Sequence, residues 1–170
     1  FYQQADESWS CSLSEGNRIT QDSIGNTIEV FDNRQYDNSW KASDFFFQES
    51  EKPVHRLLKE TKGIYTTLPT YPAYVNRLRH VLSPIAEYED SLGLHYDFGR
   101  FFQGSVRITL REAKKGERLE INGLVYICNG EMDEQAFRRL SKSRQKSITI
   151  KGDRHFRKSQ IQKIEGLEIY

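Results

Sequence analysis

Long apolar runs are missing from this chain. None approaches the roughly eighteen residues a membrane helix needs, and no apolar targeting core stands at its start, so no membrane insertion is expected. The chain begins at Phe1 and not at Met, which fits a processed product or an excised domain. Only two cysteines occur, Cys11 and Cys128, which allow one disulfide at most. Both sit in apolar-alternating contexts, and small secreted scaffolds usually carry more bridges. Buried free thiols and a cytoplasmic or other reducing compartment are therefore expected. No Asn-x-Ser/Thr acceptor for glycosylation occurs, nor a phosphate-binding loop, nor a Gly-x-Gly-x-x-Gly turn. The four histidines, His55, His80, His95 and His155, stand at no zinc-ligand spacing, so no metal and no cofactor are expected. Asp97-Phe98-Gly99 matches the kinase triplet, but no glycine-rich loop or His-Arg-Asp segment accompanies it. Apolar residues are scarce at 36%, yet aromatics reach 12%, which argues for a folded chain and against disorder.

What is abundant is local positive charge. Between Gln135 and Lys163 stand ten basic side chains and a single acid, Asp153, in a protein whose formal charge is only +1. The first fifty residues carry nine acids against three bases, and residues 101–170 nine against fifteen. A field of this strength attracts polyanions, of which nucleic-acid backbones are the commonest. The expected contacts are Arg138, Lys142, Lys151, Arg154, Arg157 and Lys158 on phosphates, with His155 and Phe156 offering a stacking surface. The alternative for the same charges is that they pair with the acidic front of the chain.

The residue patterns predict an α+β fold: a mixed or antiparallel sheet with two packed helices in the C-terminal half, a helical middle segment, and a small β-rich N-terminal lobe. The lobe covers residues 1–49 and the main unit 50–170, or the two form one continuous domain. Gly16-Asn17 and Gly25-Asn26 each precede an alternating segment, as turn-then-strand pairs do. Phe45 to Phe47 is apolar on both faces and needs cover. Ser50 to Pro53 reads as a helix start, followed by Val54, Leu57 and Leu58 up to Gly63. Thr70 to Pro72 opens another helix, with Val75, Leu78 and Leu82 on one stripe, and Ser83-Pro84 a break before a short helix holding Ile85, Tyr88 and Leu92. Strands are predicted at Val106 to Leu110, Leu119 to Ile121, Leu124 to Ile127 and Ser147 to Lys151. A helix from Glu131 to about Arg144 would put Met132, Ala136, Phe137 and Leu140 on one face, with Arg138 and Lys142 opposite. Ser159-x-x-Gln162 fits a capping box opening a short helix with Ile161 and Ile164.

The segment Ser147 to Tyr170, read as strand, polar loop, capped helix and strand, resembles the first half of the POTRA modules that bind partner polypeptides. Leu119 to Lys151, with its Asn129-Gly130-Glu131 turn, is similar to the periplasmic domain of ExbD-type proteins. Each likeness covers less than a third of the chain and carries over no residues. Both imply that a partner strand can add to a sheet edge. The leading expectation is thus a non-enzymatic domain that binds RNA or DNA. The alternative is a protein–protein adaptor using a sheet edge or the charged face, with an acidic protein as partner. A third class is a small metal-independent nuclease or toxin-like enzyme, in which His155 would work with His95 or Asp97. The pair Asp97 and Glu120 is similar to the metal-binding acids of restriction-type nucleases, with Asn122 where those carry lysine. No catalytic residue is assigned.

Overall fold

The computed structural model describes residues 10–11, 16–36, 43–44, 52–53 and 77–170. The chain divides into two compact units, residues 1–14 with 37–75, and residues 15–36 with 76–170. In the first, β1 (Ser10–Cys11) pairs antiparallel with β4 (Lys52–Pro53). In the second, before and after that excursion, run β2 (Asn17–Gln21), β3 (Thr27–Asp32), β5 (Leu78–Leu82), β6 (Ala86–Asp90), β7 (Gly93–Arg111), β8 (Arg118–Ile121), β9 (Leu124–Ile127), β10 (Asp133–Ala136), β11 (Ser143–Gly152) and β12 (Ile161–Ile169). These strands form one ten-stranded sheet, ordered β2-β3-β9-β8-β11-β7-β12-β5, with β6 and β10 also on β7. Only β3 and β9 pair in parallel among the described strands.

β7 organises the second unit. Its nineteen residues serve two sets of neighbours: Gly93–Asp97 lie between β6 and β11, and Ile108–Leu110 between β10 and β12. Even-numbered residues face inward along both stretches, first Leu94, Tyr96 and Phe98, then Phe102, Val106, Ile108 and Leu110. All seven belong to one apolar cluster with Phe31, Leu119, Ile121, Leu124, Tyr126, Ile148 and Ile150. The ring of Phe31 stacks on Tyr126 at 5.7 Å, and the Arg139 guanidinium caps Phe31 at 4.0 Å from its centroid.

The α+β expectation with two packed helices is overturned: the described part is nearly all β, and its helical content is a 3-10 turn over Lys158–Gln160. No helix there is long and apolar enough to cross a membrane. Physical reasons account for each misread segment. At Asp133–Ala136 the inward residues are Glu134 and Ala136, so a buried carboxylate hides the period of two, while Met132 and Leu140 are exposed. Glu134 is tolerated because it accepts hydrogen bonds from Asn33 Nδ2, Tyr126 Oη and the N–H groups of Asn129 and Gly130. In β12 the register slips between Ile161 and Lys163, which gives Ile161 and Ile164 the three-residue spacing of a helix. The helical box is also displaced: Gln160 Oε1, and not Gln162, accepts the Arg157 N–H at 2.6 Å. Ile85, Tyr88 and Leu92 form no core stripe, since all three are exposed and Ala86–Asp90 is a strand. Leu78 and Leu82 belong to β5, and Lys52–Pro53 to β4. Without helices at 131–144 and 159–164, neither the POTRA nor the ExbD pattern holds. The helices expected over residues 54–76 and the Phe45 to Phe47 run lie outside the described residues.

The strands expected at 106–110, 119–121, 124–127 and 147–151 lie within β7, β8, β9 and β11. Cys128 is buried and free.

Candidate functional site

β11 separates the basic residues into two groups. Arg138 and Lys142 precede the strand, Lys151 lies near its end, and Arg154 to Lys158 follow it; from Lys142 to Lys151 is nine residues of extended chain, about 30 Å. Arg138 is half-buried. Its guanidinium donates to the Asn122 carbonyl and to Ser143 Oγ, and burial lowers its pKa. Lys142 is exposed. Several of the remaining cations meet carboxylates: Lys146 meets Asp97 at 3.6 Å, Lys158 meets Glu87 at 2.7 Å, and Lys163 meets Glu165 at 2.6 Å. Asp97 and Glu120 lie opposite Ser147 and Lys151 of β11, four residues apart, roughly 13 Å along the strand, so they share no ion.

The second group does converge. Asp153 ties the loop after β11 to β8, accepting the Arg118 N–H at 3.0 Å and the His155 N–H at 2.8 Å. Burial acts against its charge, but these amides hold its carboxyl below the usual range. Phe156 turns inward, packing on Gly152 and the core. Arg154 donates to His155 Nε2 at 3.2 Å, and Arg157 to the carbonyls of Arg154 and Phe156. Lys151, Arg154 and Arg157 are exposed and meet no carboxylate among the described residues.

This loop faces the β6–β7 turn across a cleft of about 500 Å³ lined by Glu89, Asp90, Lys151, Asp153, Arg157 and Lys158. A second cleft of about 470 Å³ has Tyr96, Pro84, Ile85, Glu87 and Ile164 in its lining and shares Lys158 with the first. The Glu87–Lys158 bond, which raises the lysine pKa, therefore stands between the two. Burial, and then Glu87, push up the pKa of the Tyr96 phenol.

Outside the lining of both clefts, on the outward face of β6 and β7, lies an aromatic pair that sequence reasoning missed. Tyr88 in β6 stands opposite His95 in β7, and the rings stack at 4.4 Å with planes 6° apart. His95 Nε2 donates to Asp90 Oδ1 at 2.8 Å, and its Nδ1 lies 3.1 Å from Thr149 Oγ1. Asp90 Oδ1 also accepts the Leu92 N–H at 2.7 Å. The His95 bond first, then this amide, lower the Asp90 pKa. The signal in the sequence was the alternation of Ala86, Tyr88 and Asp90 with Glu87 and Glu89, closed by Ser91-Leu92-Gly93.

No family model matches the chain, and no curated protein matches it. Among solved structures, an α-L-rhamnosidase from Dictyoglumus thermophilum matches with a TM-score of 0.66 at 22% identity, over 98% of this chain and 20% of that one. The chain thus spans about a fifth of that protein's length, and the likeness is one of fold.

Proposed function

We propose that this chain is a non-catalytic, glycan-contacting module of a larger carbohydrate-active protein. The observation that carries the proposal is the balance of charge in the cleft between β6–β7 and the loop after β11. Glu89, Asp90 and Asp153 stand against Lys151, Arg157 and Lys158 in its lining, three charges of each sign. Alternating donors and acceptors of no net charge suit a neutral ligand rich in hydroxyls, whereas a polyanion would meet three carboxylates. The fold likeness to part of a rhamnosidase supplies the class of partner, by analogy.

Affinity electrophoresis through gels containing a rhamnose-bearing polysaccharide tests it. Retardation of the chain is expected, with no hydrolysis of an aryl α-L-rhamnoside by the chain alone. Equal mobility with and without polysaccharide overturns the proposal.

A second reading, RNA or DNA binding, is favoured by one observation: Lys151, Arg154 and Arg157 lie close in sequence with no carboxylate partner among the described residues. Filter binding at low salt should then retain nucleic acid. Removing the three charges should lower the salt slope by roughly two to three units. No retention of duplex or single strand ends this reading.

A further inference from the structure

We propose that Tyr88, stacked on His95, is a platform for one pyranose ring of a neutral glycan, with Asp90 and Lys151 binding its hydroxyls. The proposal rests on the glycan-contacting reading above and names its site.

The platform is built by strand register. Tyr88 pairs with His95, and His95 with Thr149 on β11, so the three side chains form one row across three strands. His95 is an outward, odd-numbered residue of β7, between the inward Leu94 and Tyr96. Two hydrogen bonds, to Asp90 and Thr149, fix the imidazole, and the imidazole covers one face of the phenol ring. Tyr88 nevertheless remains 61% exposed, so its other face meets water. An aromatic ring already held in place loses little freedom when a ligand lands on it. Its electron-rich face attracts the polarised C–H groups on the apolar side of a sugar ring.

Polar groups stand one row away. Asp90 pairs with Gly93, and Lys151 lies on the other flank of Gly93, its Cγ 3.3 Å from where a Cβ on that glycine would be. A Cβ on Gly93 would run into the Ile150 carbonyl, so the glycine lets β11 come close and brings Lys151 to the flank opposite Asp90. Asp90 Oδ1 accepts from His95 and Leu92, and the Gly93 amide adds a third bond to the carboxylate, which has about four acceptor positions and is 43% exposed, so acceptor capacity remains. Lys151 stands opposite Glu120, but that carboxylate is held by Arg118 at 2.8 Å. Lys151 therefore keeps its donors for a ligand. One acceptor, one donor and a flat apolar face are what a pyranose ring with vicinal hydroxyls requires.

Titration calorimetry with methyl α-L-rhamnopyranoside and methyl β-D-galactopyranoside as probes, with unfractionated RNA as a third, decides the matter. A dissociation constant of about 1 mM is expected for at least one glycoside. Tyr88→Ala should weaken it about tenfold or more, Lys151→Met several-fold, and Tyr88→Phe, which keeps the ring, by no more than about threefold. Thermal melts check that each variant folds. Glycoside binding unchanged in Tyr88→Ala overturns the platform and leaves the glycan-contacting module standing. A wild-type chain that binds neither glycoside, and no rhamnose-bearing polysaccharide, overturns both. RNA binding lost in Lys151→Met and intact in Tyr88→Ala, with no glycoside bound, assigns the loop to a polyanion and overturns the platform.

Discussion

Arg100 and Glu168, 68 positions apart, meet through paired N–H···O bonds of 2.9 and 2.8 Å, and His80 Nδ1 approaches the same carboxylate at 2.8 Å. The cluster joins β7, β12 and β5, the last of which pairs, among the described strands, with β12 alone. The Arg100 bonds foremost, then His80, pull the Glu168 pKa from 4.5 down to about 2.

A group whose folded pKa is depressed contributes stability above its unfolded pKa and loses it as pH falls through the folded value. Glu168 should therefore stabilise at pH 5 and above, with the contribution vanishing between pH 4.5 and about 2. Urea midpoints of the wild type and Glu168→Gln should differ at pH 7 and converge near pH 2. A difference that stays constant across this range refutes the assignment.

Glu29 should prove more costly to alter. It is buried on β3 and accepts the Arg139 N–H at 2.7 Å, the Leu140 N–H, Ser141 Oγ–H and Asn17 Nδ2–H. Glu29→Gln removes one acceptor and the charge, with an expected loss of about 1–3 kcal/mol in denaturant titrations. Hydrogen exchange at the Arg139 and Leu140 amides should accelerate more than elsewhere in the sheet.

Two glycines, both at positive φ, differ in what a side chain would meet. Gly25 has φ of 85°, and a Cβ added there would meet nothing within 4 Å, so Gly25→Ala should cost about 1 kcal/mol from conformation alone. A Cβ at Gly104 would run into the Leu167 carbonyl, where β7 and β12 approach. Gly104→Ala should cost at least about 3 kcal/mol, read as a lowered urea midpoint. Equal effects would remove the close approach as a determinant.

The Cys128 thiol should be inert in the folded protein. Burial pushes its pKa well above the usual thiol range, and Glu134 and Glu117 add to the shift. In a Cys11→Ser background, Ellman's reagent at pH 8 should label no thiol without denaturant and one with it. Rapid labelling of the native protein would contradict the burial.

Most of the strand positions in the C-terminal half were legible because Val106 to Leu110, Leu119 to Ile127 and Ser147 to Lys151 alternate or are flanked by turns. The helices misread there trace to two features that local pattern cannot report. One is inward carboxylates, Glu134 above all, whose partners are loop amides fixed only after folding. The other is the slipped register in β12, which mimics a helical repeat. The size of the basic segment was also plain, but its division along β11 was not. Glu87 lies 71 residues from Lys158, and Asp97 was assigned to other chemistry. Tyr88 and His95 become a stacked pair only because β6 turns back onto β7, and a helical spacing of Ile85, Tyr88 and Leu92 obscured that hairpin.

The sharing of β7 between two sets of neighbours bears on synthesis. Ribosomes deliver β7 well before β12, which supplies the whole flank from Gly104 to Leu110. Until residue 161 emerges, that flank is a naked row of amides and carbonyls beside large aliphatic side chains, an adhesive template for any extended peptide nearby. Shielding by chaperones during this interval, and aggregation of fragments truncated before it, follow from where one strand falls in the order of translation.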